Sequence, residues 1–488
     1  MLFFTLYALT AQRGVSWQDS GEFQYRLLVG DYFWNSGIAR AHPLYILLGR
    51  GFIALFPHLL KLYACSMFSG LCMALALSTL FLLVQRITSS LSAAFIAVAT
   101  AGFSHMLWWM STVTEVYALS LLFLMGELCL LLLYTRTKRA SLLILLFAVN
   151  GAHLAVHNVA LLGLPVYGVL LILFMTKDFK RHLPVAACAA LLWGVAGGMI
   201  WWQAAGLLSS GTGVAGTLES VLFGEGYRSH VTGVGNFNSF LFFANMALAA
   251  VSFVSPCWLF APAGMLCKKS YGNQLFFRVL AALTLIHFLF WIRYFVPDQA
   301  TFILPLIGLL AVWVGVGCNA LRRRFRSGYA MAGVLLLGVL LNLCILSVAP
   351  SAAKGVLGSP GRSRVPPGRD EWGYWLYPWK HNESSAQRFV KGVSSSLGFD
   401  DILYADSTSA SPLMAFHCWS EVECQFVLRS PWTGLACDEG DRALDAGDLY
   451  VVSPVAGYVP LWLLGNEYKF MKSGVVYKVQ KTEDMEHE

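Results

Sequence analysis

Asp19 and Glu22 stand three residues apart in the stretch SWQDSGEFQYRLLVGDYFWNSGIARAHPLY, Ser16 to Tyr45, which also carries Arg26, Arg40 and His42. A carboxylate at a water–membrane boundary, with a second one beside it, can act as a base toward an acceptor hydroxyl. The same pair also reads as a helix start, with Asp19 as N-cap and Glu22 at the third helical position of a capping box. A second cluster, MSTVTEVYALS (110–120), offers Glu115 and Tyr117. A glutamate in a first turn is equally what the helix dipole favours. In GAHLAVHNVALL (151–162), His153 and His157 share one helix face and Asn158 follows. No HExxH and no acidic third ligand accompany them, so hydrogen bonding in a wet cavity fits better than zinc. The fourth cluster, WIRYFVPDQATFILP (291–305), sets Arg293, Tyr294, Asp298 and Gln299 around a helix-breaking proline. An arginine there can grip phosphate in bidentate fashion. Trp291, Tyr294 and Arg293 would equally anchor a membrane interface. Glu127, alone inside an apolar helix, is left without a role.

These residues must be positioned by membrane elements. The 488-residue chain is 57% hydrophobic and 12% charged, against about 25% charged in soluble domains. Apolar runs at 1–12, 44–57, 62–85, 91–110, 114–134, 141–156, 158–175, 184–205, 238–266, 275–293, 300–320 and 328–349 predict an α-helical polytopic protein of about 11–12 membrane segments. The first run reads as the end of a first transmembrane helix rather than a signal peptide. Residues 350–370 form a Pro/Gly/Arg linker, and 371–488 read as a small soluble α/β domain. There DDILYADSTSASPLMAFHCW suggests strand–loop–helix, and DLYVVSPV and GVVYKVQK suggest further strands.

The net charge of +7 does not indicate nucleic acid. The basic residues gather in RTKR (136–139), KDFKR (177–181), CKK (267–269) and RRRFR (322–326), as cytoplasmic loops do. With those loops inside, 206–239, the loop after residue 293 and the tail lie outside. Loop 13–43 joins them only if an even number of crossings separates it from Glu115. The short 44–57 run is therefore expected to insert halfway, which is tolerated beside a cavity. Eight of eleven cysteines lie in apolar helices, and no CxxC occurs. One disulfide among Cys418, Cys424 and Cys437 would suit an extracytoplasmic tail.

Taken as a set, WQDSGEF…HPLYILLGRGF, TEVYALSLLF, HNVALLGLP and YFVPDQATFILP resemble a family once filed only as a domain of unknown function. It occurs in bacterial membrane proteins and in an animal O-mannosyltransferase of plexin-type receptors. It stands with the GT-C glycosyltransferases, as do the protein O-mannosyltransferases and the aminoarabinose transferase of lipid A. The resemblance covers roughly residues 1–310 in the same order. It implies a membrane enzyme that transfers a hexose or mannose-like sugar from a polyprenyl-phosphate donor to a hydroxyl of a protein, lipid or glycan. It needs no separate cofactor or metal. By motif match, Asp19 is the catalytic base with Glu22 adjacent. Arg40, His42, Tyr45, Glu115, Tyr117, His157, Asn158, Arg293, Tyr294, Asp298 and Gln299 would bind substrate. His42 sits in a shortened HPLY where the family has HPPGYPLY. The expected setting is a bacterial inner membrane, with site and tail on the periplasmic face. A flippase for a lipid-linked sugar would instead show internal repeats and midplane charges. A non-catalytic assembly factor would use the tail to bind a partner.

Overall fold

The computed structural model describes residues 1–34, 36–176, 178–233, 235, 237–325, 328–358, 365–420 and 426–482. Five helices are long and apolar enough to cross a bilayer: Lys61–Thr88, Tyr117–Thr137, Gln274–Arg293, 299–323 and 332–357. Three further pairs qualify as bent units: Leu91–Gly102 with His105–Thr112 (67°), Phe179–Ala196 with Gly198–Ser209 (71°), and Ser239–Phe253 with Pro256–Cys267 (90°). Each bend falls where helices break, at the Phe103–Ser104 step after Gly102, at Gly197–Gly198 and at Ser255–Pro256. Among the described residues this gives five to eight spans by length. The remaining predicted segments, among them Leu2–Thr10, Pro43–Leu55, Ala140–Val156 and Leu164–Met175, are shorter helices. Gly264 and Gly317 let two helices meet backbone to backbone, since a methyl at Gly317 would run into the Phe260 carbonyl.

The short segment between the first loop and Glu115 has a distinct place in the bundle. Helix Pro43–Leu55 has 13 residues, about 20 Å of rise against a ~30 Å hydrocarbon core. Tyr45 and Phe52, two turns apart, both meet the Phe68 ring, at 5.5 and 5.7 Å. The helix therefore lies across Lys61–Thr88 rather than beside it. Ser20 Oγ donates to Glu115 Oε1 at 2.7 Å, so the first loop and Glu115 share one end of the bundle. The basic loops collect at the other end. There Arg136 donates to the Arg86 carbonyl (2.7 Å), Asn273 to Thr135 (2.8 Å), and Arg323 lies over Tyr271.

The tail carries a five-stranded sheet of β1 (Ile402–Tyr404), β2 (Val427–Arg429), β3 (Leu449–Val451), β4 (Tyr468–Ser473) and β5 (Val476–Lys481) in the order β2-β1-β3-β5-β4. Pairs β1–β2 and β1–β3 are parallel, and β3–β5 and β5–β4 antiparallel. Helix Ser407–Ser420 crosses over from β1 and packs on helix Gln18–Val29. The last long helix does not stop at 349. It continues through Pro350 to Leu357, since proline costs one donor and the alanines after it favour helix. The 369–380 strap then docks on the membrane bundle. Lys380 N–H donates to the Thr10 carbonyl (2.8 Å), and Thr112 Oγ1 to Pro378 O (2.7 Å). Lys380 Nζ is fully buried, donates to the Tyr374 and Tyr377 carbonyls, and lies 4.9 Å from the Trp109 and Tyr374 rings. Of the three tail cysteines among which one disulfide is expected, Cys424 lies outside the described residues.

Candidate active site

Helix Gln18–Val29 begins without a side-chain cap, and its N-cap is Trp17. The capping-box reading is thus overturned: Asp19 sits inside the first turn, and Glu22 turns to Arg26 and Arg40, 3.3 and 3.6 Å away. Polar partners in the site outcompete the weak local cap. Gln18, directly before Asp19, has φ +58°, and His42 has φ +49°. Non-glycine residues adopt this region only when their surroundings impose it.

Arg26 is the internal brace. It is fully buried and donates to the carbonyls of Arg40 (3.2 Å), Asp31 (3.4 Å) and Ala41. It thereby folds loop 30–42 back onto its own helix. The second outer segment clasps that loop: Glu225 N–H donates to Ser36 O (3.0 Å) and Ile38 N–H to Ser220 Oγ (3.0 Å). A side chain at Gly37, at φ +92°, would strike the Gly224 backbone. The clasp brings Tyr227 5.3 Å from the Arg40 guanidinium.

Arg40 lies 4.0 Å from Asp19 and 3.6 Å from Glu22. Burial works against its charge, but Asp19 and Glu22 outweigh that and hold it protonated above its ordinary range. Burial, then the neighbouring charge of Asp19, pushes Glu22 up to about 7 against the pull of both arginines. The same two causes push Asp298 up to about 6 and raise Glu115 well above the carboxylate range.

Two adjoining cavities meet here. One, of about 260 Å³, runs from Asp19, Arg40 and Asp298 to apolar walls of Leu161, Phe223 and Phe290. The other, of about 370 Å³, shares Asp19, Glu22, Arg40, Glu115, Tyr117, Tyr227 and Asp298 and opens against the tail. Rings run along the first cavity in contact: His42–His157 (5.0 Å), His157–Tyr117 (5.4 Å), Tyr117–Phe302 (5.5 Å) and Phe302–Tyr294 (4.7 Å). His42 Nδ1 meets the Val156 carbonyl (2.8 Å) and so carries the proton, leaving Nε2 an acceptor in the neutral ring. His157 Nδ1 accepts from Val159 N–H (3.1 Å), so its Nε2 carries the proton. The pair presents opposite hydrogen-bonding edges.

Of the expected residues, Asp19, Glu22, Arg40, His42, Glu115, Tyr117, His157, Asn158, Tyr294 and Asp298 line the first cavity. Arg293, Tyr45 and Gln299 line neither of the two. Arg293 lies over the Phe295 ring at 5.0 Å. Tyr45 packs edge-on against Phe23 (5.2 Å). Gln299 donates to the Trp291 carbonyl (2.7 Å), closing the helix end. A helix end at the right face does not fix which way its arginine turns. Sequence reading missed Tyr227, Phe290 and Phe302, and the tail residues of the second cavity. For Tyr227 the FGEGYRSH glycines were the available signal; Gly224 and Gly226 have φ +76° and +77°. Among the described residues no three His, Cys, Asp or Glu side chains are grouped to hold a metal ion.

The chain combines a bundle of spans, an acid- and arginine-lined cavity at one end and a small C-terminal sheet domain on an ArnT-like GT-C fold. Residues 19–181 match the family described as the Protein O-mannosyl-transferase TMEM260 N-terminal domain. Among solved structures the chain is similar to ArnT from Cupriavidus metallidurans bound to undecaprenyl phosphate, with TM-score 0.65 and 12% identity over 98% of this chain and 97% of that one. It is also similar to the apo state of the same protein, with TM-score 0.60 and 13% identity over the same shares. Compared with curated protein sequences, the chain has no match. The resemblance seen in the motifs is thus found again by the family match and by the fold.

Proposed function

We propose that this chain transfers a hexose or mannose-like sugar from a polyprenyl-phosphate donor to an acceptor hydroxyl at the outer face of the membrane. Asp19 carries the reading. Its side chain is 56% exposed, stands where the two cavities meet, and has Arg40 within 4.0 Å. Asp19 takes the hydroxyl proton as the acceptor oxygen attacks the anomeric carbon. The bond from that carbon to phosphate breaks, phosphate keeps the electron pair, and attack from the opposite side inverts the centre. Arg40 stabilises the charge growing on phosphate. An incoming phosphate raises Glu22 and Asp298 further, so that they take up protons and release Arg40 to it. The donor brings its own leaving group, so the reaction asks for no separate cofactor. The apolar walls at one side of the first cavity, and the undecaprenyl phosphate bound to the structurally similar ArnT, support a lipid-phosphate donor. The basic loops at the far end of the bundle support an outward, periplasmic-type site in an inner membrane.

The test is sugar transfer in proteoliposomes. Wild-type chain should consume polyprenyl-phosphate mannose or a related donor and give a product of inverted configuration. Unimpaired transfer by Asp19→Ala would sink the assignment. Movement of intact donor across the bilayer without sugar release would favour a flippase instead.

A further inference from the structure

The second cavity has a composition of its own. Its outer wall comes from the tail: Tyr374 and Trp375 on the strap, Thr408 and Ser411 near the start of helix Ser407–Ser420, and Trp432 after β2. We infer that this chamber is the acceptor subsite and that it takes a saccharide. The inference rests on the transfer reading above.

Four observations support it. The chamber shares Asp19, Arg40 and Asp298 with the first cavity, so a hydroxyl held in it reaches the base while the donor occupies the other side. Besides the shared carboxylates Glu22 and Glu115, its lining is rich in rings and hydroxyls, with Gln18, Met110, Val113 and two prolines between them. Ring faces cover the C–H faces of a pyranose, and serine and threonine hydroxyls serve both as donors and acceptors to its hydroxyls. Among the described residues Arg40 is the one cation on its lining, and it is already placed beside the shared carboxylates Asp19 and Glu22, which suits a neutral ligand better than a second phosphate. Its volume, about 370 Å³, is within the ~300–1,000 Å³ usual for small-ligand pockets.

The wall is also held rigidly. Trp375 meets Trp109 edge-on at 5.4 Å and donates to Glu371 Oε2 at 2.9 Å. Glu371 in turn pairs with buried Arg369. Trp432 stands edge-on to Trp34 at 5.2 Å, tying the far tail to the first loop. Preorganised aromatic faces lower the ordering cost of binding a flexible, weakly anchored ligand.

The test uses the full chain in detergent micelles. Binding of methyl glycosides and disaccharides of mannose, glucose, galactose and N-acetylglucosamine is followed by saturation-transfer NMR, beside a Ser/Thr-containing peptide and undecaprenyl phosphate. At least one glycoside should bind saturably with undecaprenyl phosphate present. Trp432→Ala should weaken it roughly tenfold, the loss of one stacking face. Thr408→Val, which keeps every ring, should also weaken it, and both variants should bind undecaprenyl phosphate as wild type does. If undecaprenyl phosphate binds but no glycoside does, or only the peptide does, the saccharide subsite is overturned and the transfer reading stands. If undecaprenyl phosphate does not bind either, the transfer reading falls, and this inference with it.

Discussion

Glu22 and Glu127 are both buried carboxylates on helices, 4% and 1% exposed, yet they stand in opposite situations. Glu22 opens on a cavity, shares two arginines, and has a second carboxylate one turn before it. Glu127 is sealed. His153 Nδ1 (2.8 Å), Asn150 (3.2 Å) and Tyr167 OH (2.8 Å) surround it, and Ser120 contacts the other side of His153 at 2.7 Å. The Ser120–His153–Glu127 line has the order of a nucleophile relay, but neither of the two site cavities reaches it. Asn150 also donates to the Ala160 carbonyl (3.1 Å) and accepts from Trp193 (3.1 Å). The knot therefore ties five helical segments beneath the wall that bears Tyr117 and His157. Burial of charge inside a membrane is costly wherever it occurs. Access to a cavity, rather than burial, separates a group that can meet substrate from one that holds helices together.

That contrast can be broken by experiment, and the largest effect should come at the site. Asp19→Asn should lower sugar transfer by roughly 10²–10⁴-fold, the usual share of a general base, with an unchanged melting temperature. Glu127→Gln should leave transfer per folded molecule close to wild type, and equal losses in the two variants would erase the distinction. Arg40→Met should lower kcat by about 10²–10³-fold, as removal of one stabiliser of developing charge does. Arg293→Met, measured in the same assay, should change it little, because Arg293 lines neither cavity. The knot should answer in stability instead. Glu127→Leu leaves His153, Asn150 and Tyr167 without their shared acceptor and should cost about 3 kcal/mol, read as a lower melting temperature in detergent.

A last effect concerns a third buried charge and is read only as a pH slope. Burial lowers Lys380 to about 7; Glu383 opposes this to a lesser degree, and Arg369 adds to it. The unfolded chain keeps that proton up to about 10.5, so folding releases it between those values, and stability rises with pH across about 7 to 10.5. Thermal melts of Lys380→Met should lose that part of the slope. An unchanged slope would mean that Lys380 keeps its proton on folding.

Much of this was legible in the chain because membrane physics is local. Apolar length announced the long helices, and basic loops announced one end of the bundle. DSGE, TEVY, HN and VPDQ stood out because each sets polar side chains beside an apolar helix. What stayed hidden depended on contacts between distant segments. Tyr227 reaches Arg40 through a clasp between residues 36–38 and 220–225. Arg293 and Gln299 share a motif with Asp298, yet only Asp298 turns into the cavity. The tail reads as a separate domain by composition, but Lys380, Pro378 and Ser385 bond to Thr10, Thr112 and Trp17.

By itself, then, the sequence determined that this is a polytopic membrane protein with its polar clusters at one face, because the cost of placing charge in hydrocarbon acts residue by residue. Only the tertiary structure decided which of those groups share a cavity, which carboxylate is sealed into a knot, and that the tail roofs the site. Those outcomes depend on side-chain direction and on pairings between segments up to several hundred residues apart, which no local spacing encodes.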